Sequence, residues 1–91
     1  MHRVDKIRER MNEAFSPVHL EIIDDSAKHA GHAGAARGGG HFNVTIVSGK
    51  LTGNSLVARH QMVYQTVDDL MPAEIHALGI NALTPEEYES S

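Results

Sequence analysis

The chain has ninety-one residues, a formal net charge of −4 and no cysteine, enough for one small domain with a modest core but with no thiol to staple it or to ligate zinc. No apolar run approaches the roughly 18 residues of a membrane span, and the basic start carries interleaved acids with no apolar stretch behind it, so a soluble cytoplasmic protein is expected. Residues 1–67 hold all eight Lys and Arg against six acids, while residues 68–91 hold six acids and no Lys or Arg; that acidic end repels nucleic-acid phosphates and leaves only a sparse basic patch upstream.

Residues 3–15 place Val4, Ile7, Met11 and Ala14 at helical spacing, which predicts an amphipathic helix with a narrow apolar face. Ser16-Pro17 ends it, because proline disfavours helix in the residue before it. Residues 18–24 alternate: Val18, Leu20 and Ile22 fall on one face, His19, Glu21 and Ile23 on the other, the mark of a strand with one half-wet side. A long loop of about residues 25–41 follows. Its stretch HAGHAGAARGGGH holds His29, His32 and His41, three of the seven histidines, among Gly, Ala and a single Arg. Such a segment has little to fold around, so it is expected to be flexible and functional.

Residues 42–47 form a second alternating strand, with Phe42, Val44 and Ile46 inward, paired antiparallel with the first. Two glycines make a turn of residues 48–54, and Asn54 or Ser55 caps a second helix of about Leu56 to Met71. Its apolar stripe is Leu56, Val63, Val67 and Leu70, with His60 in the gap on the same face, and Pro72 terminates it. Residues 75–83 are a third strand, with His76, Leu78, Ile80 and Ala82 on one side and Ala77, Gly79, Asn81 and Leu83 on the other. Thr84-Pro85-Glu86-Glu87 starts a last short helix that runs into an acidic tail, 86–91. The order α-β-β-α-β-α, with a right-handed crossover in its strand–helix–strand unit, gives one α+β domain over residues 1–91: a three-stranded mixed sheet with helices packed on one face.

On spacing alone His60 reads as a core-facing histidine bonded to backbone, although its place in the first two turns of a helix disfavours protonation and keeps a lone pair free. His29 and His32 read as solvated loop residues, His41 as a structural residue beside Phe42, and His19 and His76 as half-exposed sheet residues. His29, His32 and His41, with Asp24 or Asp25, also make a loose tetrahedral zinc set, of weak affinity for want of preorganisation. No cysteine nucleophile, no serine elbow and no acid–base partner beside His60 speak for catalysis; Asp68 and Asp69 lie more than two turns along the helix. An enzyme is not expected.

In that order, the segments LEIIDDSAKHAGHAG, GGGHFNVTIVS, GNSLVARHQMVYQ and EIHALGINALTPEEY resemble the BolA family, over about residues 3–88. The resemblance implies a class II KH-like fold, a monothiol glutaredoxin as partner and a [2Fe–2S] cluster shared with that partner and glutathione. It also implies a second role as a DNA-binding regulator. His60 matches the family's helix histidine, proposed as a cluster ligand, and His29 the loop histidine, with His32 as an alternative because this chain carries extra loop imidazoles. The family's KH relatives use a G-x-x-G loop, which is not found at a matching place here. Two histidines can replace two cysteines on one iron of a cluster, so a chain without thiols can supply half of a coordination set to a partner that brings them. On its own the chain is expected to be a monomer or weak homodimer without a bound cluster. For DNA, the candidate contacts are Lys50, Arg59 and Arg37.

Overall fold

A computed structural model describes residues 2–26 and 40–90; the expectations for His29, His32 and Arg37 lie outside them. Helix α1 spans Arg3–Phe15. The Asp5 carboxylate accepts from the His2 N–H (3.4 Å), and Ser16 ends the helix in the left-handed region, φ 44 and ψ 56, its N–H donating to Asn12 O. The buried stripe is Ile7, Met11 and Phe15; Ala14, expected on that face, is exposed.

Strand β1 covers His19–Asp24 and β2 covers Gly40–Val47, antiparallel, with Ile22 opposite Val44. β2 begins earlier than expected, so His41 belongs to a strand and not to the loop. A 3-10 turn at Gly49–Leu51 leads to α2, Leu56–Val67, whose cap is Ser55 accepting from the Ala58 N–H at 3.2 Å. A second 3-10 turn at Asp68–Leu70 replaces the last turn of the longer helix expected. β3 is Ile75–Leu83 and pairs parallel with β2 in the order β1-β2-β3; α3 is Pro85–Ser90. The expected α-β-β-α-β-α order and mixed three-stranded sheet are met.

The core lies between the sheet and helices α1 and α2, from Phe42, Val44 and Ile46 of β2, Leu78 and Ala82 of β3, and Val63 and Val67 of α2. Two face assignments are corrected. Leu56 is 67 % exposed and His60 is exposed, whereas Arg59, Val63 and Val67 are the buried residues of α2. Val63, Val67 and Leu70 are buried as expected; at the start of the stripe Arg59 takes the core position in place of Leu56, with its aliphatic stem inward. In β3 the alternation breaks at one point. Gly40 pairs with Ile75 but His41 with Ala77, so one extra residue, His76, bulges between them. A bulge of this kind reverses the side-chain parity beyond it. Ile75 is therefore buried, and His76, expected on the face of Leu78, is turned out to solvent.

Candidate functional site

The bulge places His76 beside His41. Their ring centroids lie 5.1 Å apart with the planes tilted by 47°. Both line a cleft of about 390 Å³, with Asp25, Asn43, Tyr64 and Met71 among its walls. Residues on either side of segment 27–39 are bonded to one another beside this cleft. The Asp25 N–H donates to His41 O at 2.8 Å, the Gly40 N–H to Glu74 O at 3.1 Å, and the His41 N–H to Ser26 Oγ at 3.1 Å. Ser26 is itself held by Asp24, whose Oδ1 accepts its N–H at 2.9 Å. Those side-chain and backbone bonds from Ser26 keep the Asp24 carboxyl below its ordinary pKa.

The wall around the pair is fixed from several elements. The Asn43 amide donates to the Asp25 carboxylate and lies over Gly79, where a Cβ would stand 2.2 Å from its Oδ1. Tyr64 of α2 donates its hydroxyl to Leu78 O at 2.8 Å, tying the helix to β3. Among the described residues no three His, Asp or Glu side chains gather closely enough to hold a metal ion together.

His60 stands apart from the pair. It is one turn before Tyr64, about 5.4 Å along α2. α2 runs opposite to β3, since Arg59 meets Ala82 O and Tyr64 meets Leu78 O. His76 lies two residues, about 6.6 Å, on the other side of Leu78. The two histidines are thus roughly 12 Å apart along the strand, and His60 is exposed on the helix ridge above.

Two of the expected basic contacts separate in the same way. Lys50 is exposed and its Nζ donates to Ala14 O at 3.4 Å. Arg59 is only 6 % exposed. Its Nε donates to Asn54 O at 2.9 Å and its Nη1 to Ala82 O at 3.1 Å and Glu87 Oε1 at 2.7 Å. It is a joint between α2, β3 and α3, not a displayed cation. Reading the sequence missed the His41–His76 pair; the IHAL segment at the start of β3 was its visible signal, but the spacing hid the bulge. His19 is also engaged, stacked on Tyr88 of α3 with centroids 5.1 Å apart.

A mixed sheet covered by helices on one face, with an imidazole pair at the edge of a cleft, defines a small α+β domain. A family model described as BolA-like protein matches residues 11–87. The chain is 36 % identical over 85 residues to the DNA-binding transcriptional regulator BolA of Escherichia coli (strain K12), covering 93 % of this chain and 78 % of that one. It is 42 % identical over 87 residues to SufE-like protein 1, chloroplastic/mitochondrial, of Arabidopsis thaliana, covering 90 % of this chain but only 24 % of that protein. Among solved structures, the BolA domain of SufE1 from Arabidopsis thaliana superimposes with a TM-score of 0.81 at 42 % identity, over 93 % and 94 % of the two chains. BolA1 from Mus musculus gives 0.79 at 33 % identity, over 97 % and 69 %. The chain belongs to the BolA-like family. Among the described residues no helix is long and apolar enough to cross a membrane.

Proposed function

We propose that this chain is a non-catalytic adaptor that pairs with a monothiol glutaredoxin and supplies imidazole ligands to a [2Fe–2S] cluster shared between them, in iron–sulfur assembly, trafficking or iron regulation. The observation that carries this reading is the His41–His76 pair at the point where the His29 segment leaves and rejoins the sheet. Two imidazoles on one tetrahedral ion place their ring centroids about 5 Å apart, the spacing found here. The chain has no thiol, so the remaining ligands fall to the partner's cysteine and to glutathione. Histidine pairs replace cysteines on one iron of known clusters and raise the potential.

His76 is the ligand this geometry favours, because it is exposed on a hydrogen-bonded strand. The second comes from His41 beside it or from His29, which follows Ser26 by three positions in the sequence. His32 is the alternative from the same segment. His60, at its distance along α2, ranks behind His76. The test is visible absorption and circular dichroism of a reconstituted monothiol glutaredoxin–[2Fe–2S] complex titrated with the native chain and with His76→Ala, His29→Ala and His60→Ala. The expected result is one-to-one saturation by the native chain, an altered spectrum with His76→Ala and a native one with His60→Ala. An unchanged spectrum on adding the native chain discards the shared cluster.

A second reading, a DNA-binding transcriptional regulator, is supported by the names of the relatives from Escherichia coli and Vibrio cholerae. The exposed Lys50 at the turn before α2 is its best contact; Arg59 is withdrawn by burial. A duplex mobility shift that weakens with salt supports it, and no shift at low salt removes it.

A further inference from the structure

We propose that His41, His76 and the thioether of Met71 form a site for a single cuprous ion in the partner-free protein. All three line one cleft, and the ring spacing of 5.1 Å is close to that of two imidazoles sharing a three- or four-coordinate ion, a little over 5 Å at about 2.0 Å per metal–nitrogen bond. The donor set selects the metal. Two neutral imidazoles and a soft thioether suit Cu(I), a monovalent ion content with two or three uncharged ligands. Zinc asks for four ligands and draws on anionic ones. The anionic group in the cleft is Asp25, whose carboxylate already accepts the Asn43 amide. Met71 follows the 3-10 turn Asp68–Leu70, its N–H donating to Asp68 O at 3.2 Å, and its half-buried side chain packs against the core at the wall of the cleft, so the thioether is held beside the two rings.

This inference does not rest on the cluster reading, though it uses the same two histidines; copper at this site would exclude His76 from a cluster. The probe is Cu(I) alone, supplied anaerobically against the chromophoric chelator bicinchoninate, with the full chain. The native protein is expected to withdraw a single ion. His76→Ala, an exposed position that leaves the fold intact, and His41→Gln should each weaken binding by about tenfold or more, and Met71→Leu by several-fold with loss of copper–sulfur scattering in X-ray absorption. A His29→Ala/His32→Ala double variant should retain the native affinity. Far-UV circular dichroism of His41→Gln checks that its loss is not unfolding. Undiminished Cu(I) affinity in His76→Ala, loss in the double variant alone, or displacement of Cu(I) by equimolar Zn(II) would each overturn the site. Met71→Leu should still saturate the glutaredoxin–cluster spectrum, so a failure here and a failure of the adaptor reading are told apart.

Discussion

Arg59 and Glu87 clasp across the end of the sheet: Nη1 lies 2.7 Å from Oε1 and Nη2 3.3 Å from Oε2, with the guanidinium buried and the carboxylate at the surface. The same Glu87 accepts the Thr84 N–H at 2.8 Å while the Thr84 hydroxyl accepts the Glu87 N–H at 3.3 Å, a reciprocal cap on α3. α3 has no buried residue, so this clasp and the His19–Tyr88 stack hold it in place. Replacing Arg59 with Met keeps the stem but leaves the Asn54 and Ala82 carbonyls without their donor. A loss of about 2 kcal/mol in urea unfolding is expected, with α3 amides exchanging fastest. A variant as stable as the native chain would show the clasp to be idle.

The pH dependence of this clasp follows from Glu87. The Arg59 guanidinium first, then the Thr84 N–H, hold its carboxyl down at about 2 from an ordinary 4.5. Because the folded-state value is the lower one, the stabilisation is fully present above about pH 5 and fades as pH falls toward 2. The stability gap between the native chain and Glu87→Gln should therefore be constant from pH 7 to 5 and close below it. A gap that persists to pH 2 contradicts the assignment. Asp69, lowered first by its bond to Arg10, adds to the same acid sensitivity.

Gly40→Ala should be among the costliest small substitutions in the chain. A Cβ there meets the Phe42 ring at 2.5 and 2.7 Å. Phe42 is 2 % exposed and central to the core, so it cannot move aside. A cost of about 2 kcal/mol is expected, read by thermal unfolding; a neutral result would mean the strand entry shifts freely, and with it the base of the histidine segment.

Gly79→Ala is a contrasting case. Its Cβ meets the Asn43 amide oxygen, the end of a surface side chain, at 2.2 Å. The amide can swing away and lose its bond to Asp25, for about 1 kcal/mol. In a double-mutant cycle with Asn43→Ala the cost should vanish. Additive effects would place the strain in the backbone instead.

Tyr64→Phe removes the bond to Leu78 O that ties α2 to β3 at the cleft. A loss of about 1 kcal/mol is expected, together with shifts of the His76 ring resonances by NMR, since the strand segment after His76 is what the hydroxyl holds. Unmoved resonances would separate the tie from the site.

How far the sequence could be read depended on whether the signal was local. Period-2 alternation in Phe42, Val44 and Ile46, the Ser16-Pro17 stop and the Ser55 cap are written in neighbouring residues, and each element they imply is present. The replacement of Leu56 by Arg59 at the start of the α2 stripe was not local. Arg59 counts as polar in any pattern, yet its stem is buried because Glu87, 28 residues on, meets its charge. The site divides along the same line. The resemblance alone singles out His29 and His60, while His41 reads from its place beside Phe42 as structural.

By itself the sequence determined the element order, the mixed sheet, the thiol-free histidine inventory and the family, because periodicity, caps and composition act within a few residues. Only the tertiary structure decided which histidines meet. One extra residue between the pairings of Gly40 with Ile75 and His41 with Ala77 turns His76 out of the core and sets its ring against His41. A register shift is a property of two strands together, and neither strand carries it alone.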